Sequence, residues 1–313
     1  MARPLRIAYP GAFYHVVNRG VEQRIIFADK SDYTQFLNLL ELLHASFGFR
    51  VHSYCLMPNH YHLYLETPHG HLSRLMQQLD SRYTQWFNRR HRRIGPLFQG
   101  RYKALLVDKE AYSLAVSRYI HLNPVKAKLV RKPEAYAWSS YATFLGRRRP
   151  ASFQETKWLL GQLGRSRGEA RQAFHRFTTA GLQDSWEPFA AAEGGILLGS
   201  DRFVDWVKRR FLPRRRDGAI SQLRHLQKPR DVTRIEEAVA RLTTDPRLRR
   251  KLLVYALRRF TPLTLREVGD RVGGMQAVTV SQVVRRLAHQ GNRPGHISAL
   301  LQHLERKVSN VKL

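Results

Sequence analysis

Met57-Pro58-Asn59-His60-Tyr61-His62-Leu63-Tyr64-Leu65-Glu66 sets two histidines two residues apart inside an alternating polar and apolar run. Side chains alternate faces along a strand, so His60 and His62 share a face with Tyr64 and Glu66, while Tyr61, Leu63 and Leu65 take the other. One face can hold a cation and the other a core. The preceding run His52-Ser53-Tyr54-Cys55-Leu56 reads as a second strand, with Met57-Pro58-Asn59 as the turn between them. Two imidazoles on one rigid strand are a partial ligand set for a divalent cation, and a third ligand must come from elsewhere. The spacing also arises by chance. His69 and His71 repeat it, but Pro68 and Gly70 place that pair in a loop with no common direction, expected to be a solvated turn.

The chain has 313 residues, enough for two or three domains with their own cores. Its hydrophobic share is 43%, and no apolar run approaches the roughly 20 residues of a membrane span. The first residues, Met1-Ala2-Arg3-Pro4-Leu5-Arg6, lack the apolar segment of a secretory signal. A single cysteine, Cys55, rules out an internal disulfide and fits a reducing, cytoplasmic setting; its place in a strand marks it as a small buried filler. Lys and Arg number 54 against 24 Asp and Glu, a net charge of +30. Such an excess calls for a polyanion, nucleic acid first, because each neutralised phosphate releases condensed counterions. Ribosomal or anionic membrane surface is the alternative. The basic residues are interleaved with aromatics through folded segments, which favours a groove over a membrane patch.

Taken in order, Pro10 to Gly20 reads as a strand, and Ser31 to Phe47 as an amphipathic helix with Ser31 as N-cap. The histidine hairpin follows. A second helix spans Leu72 to Arg89 and runs into Arg89-Arg90-His91-Arg92-Arg93, more cations than a helix dipole can use. Gly100 to Val107 is a strand with a basic start. Asp108 then caps a helix that should stop at Asn123-Pro124, since the residue before proline is pushed out of helical geometry. This order is that of a ferredoxin-like α+β layer, an antiparallel sheet with one sheet face left free of its two crossover helices for His60 and His62. Tyr119 and Asn123 lie four apart on one side of the last helix. If that side meets the histidines, a cation gains an amide oxygen and the site a phenol; spacing alone favours ordinary core for Tyr119, with its hydroxyl at the rim.

Several separate motifs then combine in one order: Phe13-Tyr14-His15-Val16-Val17-Asn18-Arg19-Gly20, Cys55 to Leu63, Arg118-Tyr119-Ile120-His121-Leu122-Asn123-Pro124-Val125-Lys126-Ala127, and Trp138-Ser139-Ser140-Tyr141. Over residues 7 to 146 the chain resembles the REP-associated tyrosine transposases of the single-tyrosine HUH nuclease superfamily. The resemblance implies a ferredoxin-like HUH nuclease domain that cuts single-stranded DNA beside imperfect hairpins. It implies His60 and His62 as metal ligands, Asn123 as the third, Tyr119 as nucleophile, and Mg²⁺ or Mn²⁺ as cofactor. A phenol in place of water forms a 5′-phosphotyrosine and releases a 3′-OH, conserving bond energy for rejoining. One tyrosine makes one nick per site, so strand transfer needs a homodimer or two successive reactions of a monomer. Arg19, Arg101 and Lys103 border the strands as candidate phosphate contacts. Tyr14 and Tyr102 are candidate stacking platforms for unpaired bases, with core packing the stronger expectation for Tyr14.

Arg147-Arg148-Arg149-Pro150 marks a boundary, giving a nuclease domain at 1–147. Residues 148–218 read as an all-α extension that carries Trp158-Leu159-Leu160 and Phe203 to Val207, is interrupted at Glu193-Gly194-Gly195, and ends in the basic linker Pro213 to Gly218. Residues 219–313 form a third module. A helix opens at Asp245-Pro246; Thr264 to Val272, the Gly273-Gly274 turn and Val278 to Leu287 then read as a helix-turn-helix. Leu252 to Leu287 resembles the C-terminal DNA-binding domain of the replication initiator DnaA, which implies duplex DNA as a second partner. Met275-Gln276-Ala277 stand where that family has Arg-Asp-His, so its base specificity does not carry over. Gln276, Thr279, Ser281 and Gln282 are candidates for bases or phosphates, and Arg285 and Arg286 for the backbone; an αα-hairpin that only packs is the alternative. His289, His296 and His303 recur every seven residues, but Gly291, Pro294 and Gly295 break the helix between the first two, so they read as solvated.

The resulting expectation is a metal-dependent single-stranded DNA endonuclease and strand transferase. Its rivals are a DNA-binding regulator on an inactive nuclease scaffold, a zinc-dependent hydrolase using the same histidines, and an RNA-binding protein.

Overall fold

β1 (Ala12–Arg19), α1 (Lys30–Phe47), β2 (Arg50–Met57), β3 (His60–Thr67), α2 (Leu72–Arg90), β4 (Lys103–Val107) and α3 (Lys109–Lys126) succeed one another in the computed structural model, which describes residues 6–212, 232–261, 263–291 and 295–309. The strands lie in the order β2-β3-β1-β4, with each neighbouring pair antiparallel. This is the expected ferredoxin-like α+β arrangement. A fifth strand, β5 (Leu197–Leu198), pairs parallel with β4. The sheet is therefore not wholly antiparallel, and the extension beyond residue 147 is not all helix: two leucines, each 1% exposed, cover what would be an open edge.

Two local expectations change. Asp29, not Ser31, caps α1: its carboxylate accepts from the backbone N–H of Ser31 and Asp32, and Asp32 answers in a capping box. α3 does not stop at Asn123 but carries Pro124 inside it and ends at Lys126. Proline forfeits one backbone hydrogen bond, yet Ala127 N–H still reaches Asn123 O and Leu129 N–H reaches Pro124 O, so the last turn closes around it. Asp108 occupies the N-cap position, but its carboxylate accepts from Ser200 instead of from α3.

α1 packs on α2 over one sheet face, and α3 lies over β2 and β3 on the other. On the first face Tyr61 packs against Phe36 and donates its hydroxyl to Asp80 at 2.7 Å, with Asn18 Nδ2 donating to the same carboxylate at 2.9 Å. Arg90, which the sequence counts among surplus cations, is committed: it bridges Asp29 and the fully buried Asp32 at 2.7 and 2.8 Å. Cys55 is buried, as expected of a filler.

The described residues fall into two compact units, one of residues 6–207 and one from Lys208 onward. Residues 148–207 thus pack with the first unit, including the helix Arg167–Ala180, whose cap Ser166 forms a box with Glu169. The second unit has helices Val232–Ala240, Pro246–Phe260, Leu265–Arg271, Ala277–Gly291 and His296–Ser309. They enclose Leu252, Ala256, Phe260, Val268, Val280 and Leu287. Thr264 caps Leu265–Arg271 through a box with Glu267, and Gly273 (φ 89°) and Gly274 (φ 74°) make the turn that follows. Gly269 is obligatory, since a Cβ there would lie 1.9 Å from Met275 O. The basic linker 213–218 and the side chains of His289 and His296 lie outside the described residues. No helix among the described residues is long and apolar enough to cross a membrane.

Burial drives the Asp80 carboxyl up to about 6, against the opposing pull of Tyr61 and Asn18. A carboxyl raised above its unfolded value near 3.9 contributes stability below that pH and loses it as pH rises through about 6. Relative to Asp80→Asn, the native protein should therefore lose on the order of 2 kcal/mol between pH 4 and 7, read from urea unfolding at both values.

Candidate active site

Strand register decides which side chains meet. β3 pairs with β1 so that His60 faces Arg19, His62 faces Val17 and Tyr64 faces His15. β2 and β4 continue these rows, setting Cys55 beside His62 and Lys103 beside Val17. Directly paired residues project to the same side of a sheet. His15, His60, His62, Arg19 and Lys103 therefore share the face that α3 covers, where Phe13, Cys55, Tyr64, Leu105, Val116, Tyr119 and Ile120 form a buried cluster.

The histidine and tyrosine motifs converge here. The rings of His60 and His62 are 4.9 Å apart and nearly perpendicular, and the Tyr119 ring stands edge-on to His62 at 5.7 Å. Asn123, one turn along α3, donates Nδ2 to Tyr119 O at 2.8 Å, and its amide lies close enough to influence both His62 and the Tyr119 hydroxyl. Each histidine has its Nδ1 engaged. Asn59 gives its Nδ2 to Gln23 O, so its Oδ1 accepts from His60 Nδ1–H at 2.6 Å. His62 Nδ1 meets His15 Nε2 at 3.0 Å, and His62 Nε2 is buried with no hydrogen-bond partner.

Burial holds both imidazoles neutral. The His60 pKa falls to about 4, with the Arg19 charge assisting, and that of His62 lies well below its ordinary value through burial, then through His15, His60 and Arg19. Neutral rings have the lone pairs a cation requires. Two imidazoles and one amide oxygen fit a divalent ion held weakly, with open positions for phosphate oxygens. Among the described residues no group of three or more His, Cys, Asp and Glu is arranged to hold a metal ion, so a third ligand here would have to be an amide oxygen.

The site has a roof that the motifs do not announce. Tyr119, 9% exposed, donates its hydroxyl to Glu187 at 2.8 Å. Trp186 lies 6.2 Å from the Tyr119 ring, and Phe189 lies 5.4 Å from His15. Arg118 steadies this segment through Asp184 at 2.7 Å. The phenol is pushed well above its ordinary value by burial first and by the Glu187 carboxylate second, while Asn123 and Arg19 oppose the rise. Lys126 Nζ stands 5.3 Å from the centre of the same ring.

Of the other expected contacts, Arg19, Arg101 and Lys103 are exposed. Tyr14 and Tyr102 are not available for stacking: they are 2% and 5% exposed, Tyr14 is bonded to Ile7 O, and Arg6 lies over the Tyr102 ring. In the second unit Gln276, Thr279, Gln282 and Arg286 are exposed, Ser281 is half-buried, and the side chain of Arg285 lies outside the described residues. His15, Asn59 and Glu187 are the site residues that motif reading passes over. For His15 the strand alternation was a usable signal; for Glu187, 68 residues from its partner, there was none.

No curated protein sequence matches this chain. Among solved structures it is similar to one described as "Structure of the REP associates tyrosine transposase bound to a REP hairpin", with 16% identity and a TM-score of 0.42 over 47% of this chain and 87% of that one. Residues 9–123 match the family model described as "Transposase IS200 like", a span that takes in His60, His62, Tyr119 and Asn123.

Proposed function

We propose that residues 6–207 form a metal-dependent single-stranded DNA endonuclease and strand transferase, acting at hairpins through a 5′-phosphotyrosine. The observation that carries this reading is a phenol set edge-on to a buried histidine pair, in a span matching a transposase family. His60, His62 and Asn123 would hold Mg²⁺ or Mn²⁺, which when bound would polarise the scissile phosphate and lower the cost of its developing charge. Tyr119 Oη attacks phosphorus, the bond to the 3′ oxygen breaks, and that oxygen leaves as a 3′-OH after taking a proton from solvent. Glu187, which accepts the Tyr119 hydrogen bond, is the group placed to receive the phenol proton. Arg19 favours a developing phenolate and sits opposite His60, where a phosphate would be drawn in. The exposed Gln276, Thr279, Gln282 and Arg286 serve duplex DNA, holding the nuclease near its target. Strand transfer follows from a second attack by a 3′-OH on the phosphotyrosine, by one subunit twice or by two.

Incubated with labelled single-stranded hairpin DNA and Mn²⁺, the native protein should give nicks and a protein-linked strand on denaturing gels. Tyr119→Phe should abolish both; a product that persists in this variant identifies water as nucleophile and returns the hydrolase reading. His62→Ala should lower nicking by at least about 100-fold, since a lost ligand removes most of the cation's hold.

Arg286→Ala should weaken duplex binding without altering nicking of short single strands. It should also lower the salt-dependence slope by about 1, as measured by fluorescence anisotropy across salt concentrations.

A further inference from the structure

We propose that His15 is a positioning residue for the cation site: its Nε2 accepts a hydrogen bond from His62 Nδ1–H and so leaves the His62 Nε2 lone pair bare. This rests on the proposed metal-dependent reading. The contact is 3.0 Å, the rings are stacked at 5.2 Å, and both residues are buried. β1 is the central strand of the nuclease sheet and His15 lies in its middle, so the acceptor is fixed by the fold and not by a loop. Phe189 and Tyr119 close in on the same ring at 5.4 and 5.8 Å, leaving it little freedom to turn.

Geometry alone allows either direction, since His15 Nδ1 and His62 Nε2 are both buried without a partner; a cation on His62 Nε2 selects the one proposed, which gives His62 the tautomer its neighbour already has. An amide oxygen at His60 Nδ1 can only accept, so His60 carries its proton on Nδ1 and its bare nitrogen is Nε2. The opposite bond, His15 donating, would put a proton on His62 Nε2 and block one of the two ligands. A histidine that binds metal through one nitrogen commonly has the other held by such a partner. An imidazole in this role is neutral and apolar on its faces, which suits a wall made of Phe189 and Tyr119 better than a carboxylate would.

The tautomer is read directly in the metal-free protein by long-range ¹H–¹⁵N correlation spectra at neutral pH. The expected result is a proton on His62 Nδ1 in the native chain. A proton on Nε2 overturns the proposal. Two variants extend the test: His15→Gln, which keeps an acceptor, and His15→Leu, which does not. Mn²⁺ affinity followed by electron paramagnetic resonance should fall about 10–100-fold in the leucine variant and stay within a few-fold of native in the glutamine variant, with both melting cooperatively. Equal losses in the two variants overturn the role of His15. A native chain with the expected tautomer but no Mn²⁺ binding leaves the hydrogen bond standing and overturns the metal-dependent reading instead.

Discussion

The antiparallel pairing of β3 with β1 is the constraint on which the site rests. A slip of one residue would turn His60 and His62 toward α1 and α2 and put Tyr61 and Leu63 under α3. Burial prevents it: Tyr61, Leu63 and Leu65 are fully buried on the helix-pair side, and the Tyr61 hydroxyl is tied to Asp80. The polar network that looks remote from the chemistry therefore helps to set which way the histidines point. The second face then needs a cover of its own, and α3 supplies it through Val116, Tyr119 and Ile120.

Burying a phenol beside two imidazoles has an electrostatic cost that the fold partly uses. Desolvation keeps the rings neutral and therefore able to coordinate, but the same desolvation stiffens Tyr119 against ionisation. Arg19 acts against that second effect from the end of β1, and it also discourages protonation of His60 and His62. One exposed guanidinium thus opposes protonation of both imidazoles and of the phenolate. Glu187 pulls the other way on the phenol, through the hydrogen bond it accepts and through its charge.

Much of the layer was legible in the sequence because alternation and three-four periodicity report local burial. The strands, the three helices and the placing of His60 with His62 follow from spacing within ten residues. Tyr119 and Asn123 could be paired with each other on α3, but not with the strand except through the family resemblance. What could not be read depends on distant partners. Asp29 outcompetes Ser31 as a cap because Asp32 completes its box. Arg90 is drawn from the surplus charge by a buried carboxylate nearly sixty residues away. Tyr102 carries the same letter whether it stacks on a base or lies under Arg6.

β5 gives the extension a meaning that its composition hides. Leu106 and Leu197 are paired across the edge, and the segment that ends in β5 begins at Asp184, which Arg118 of α3 grips. Truncation at residue 147, where the charge run suggests a boundary, would expose a sticky sheet margin to other chains and strip the roof from the phenol at one stroke. The compact unit that holds the histidine pair accordingly reaches Val207, about sixty residues past the last of the sequence motifs.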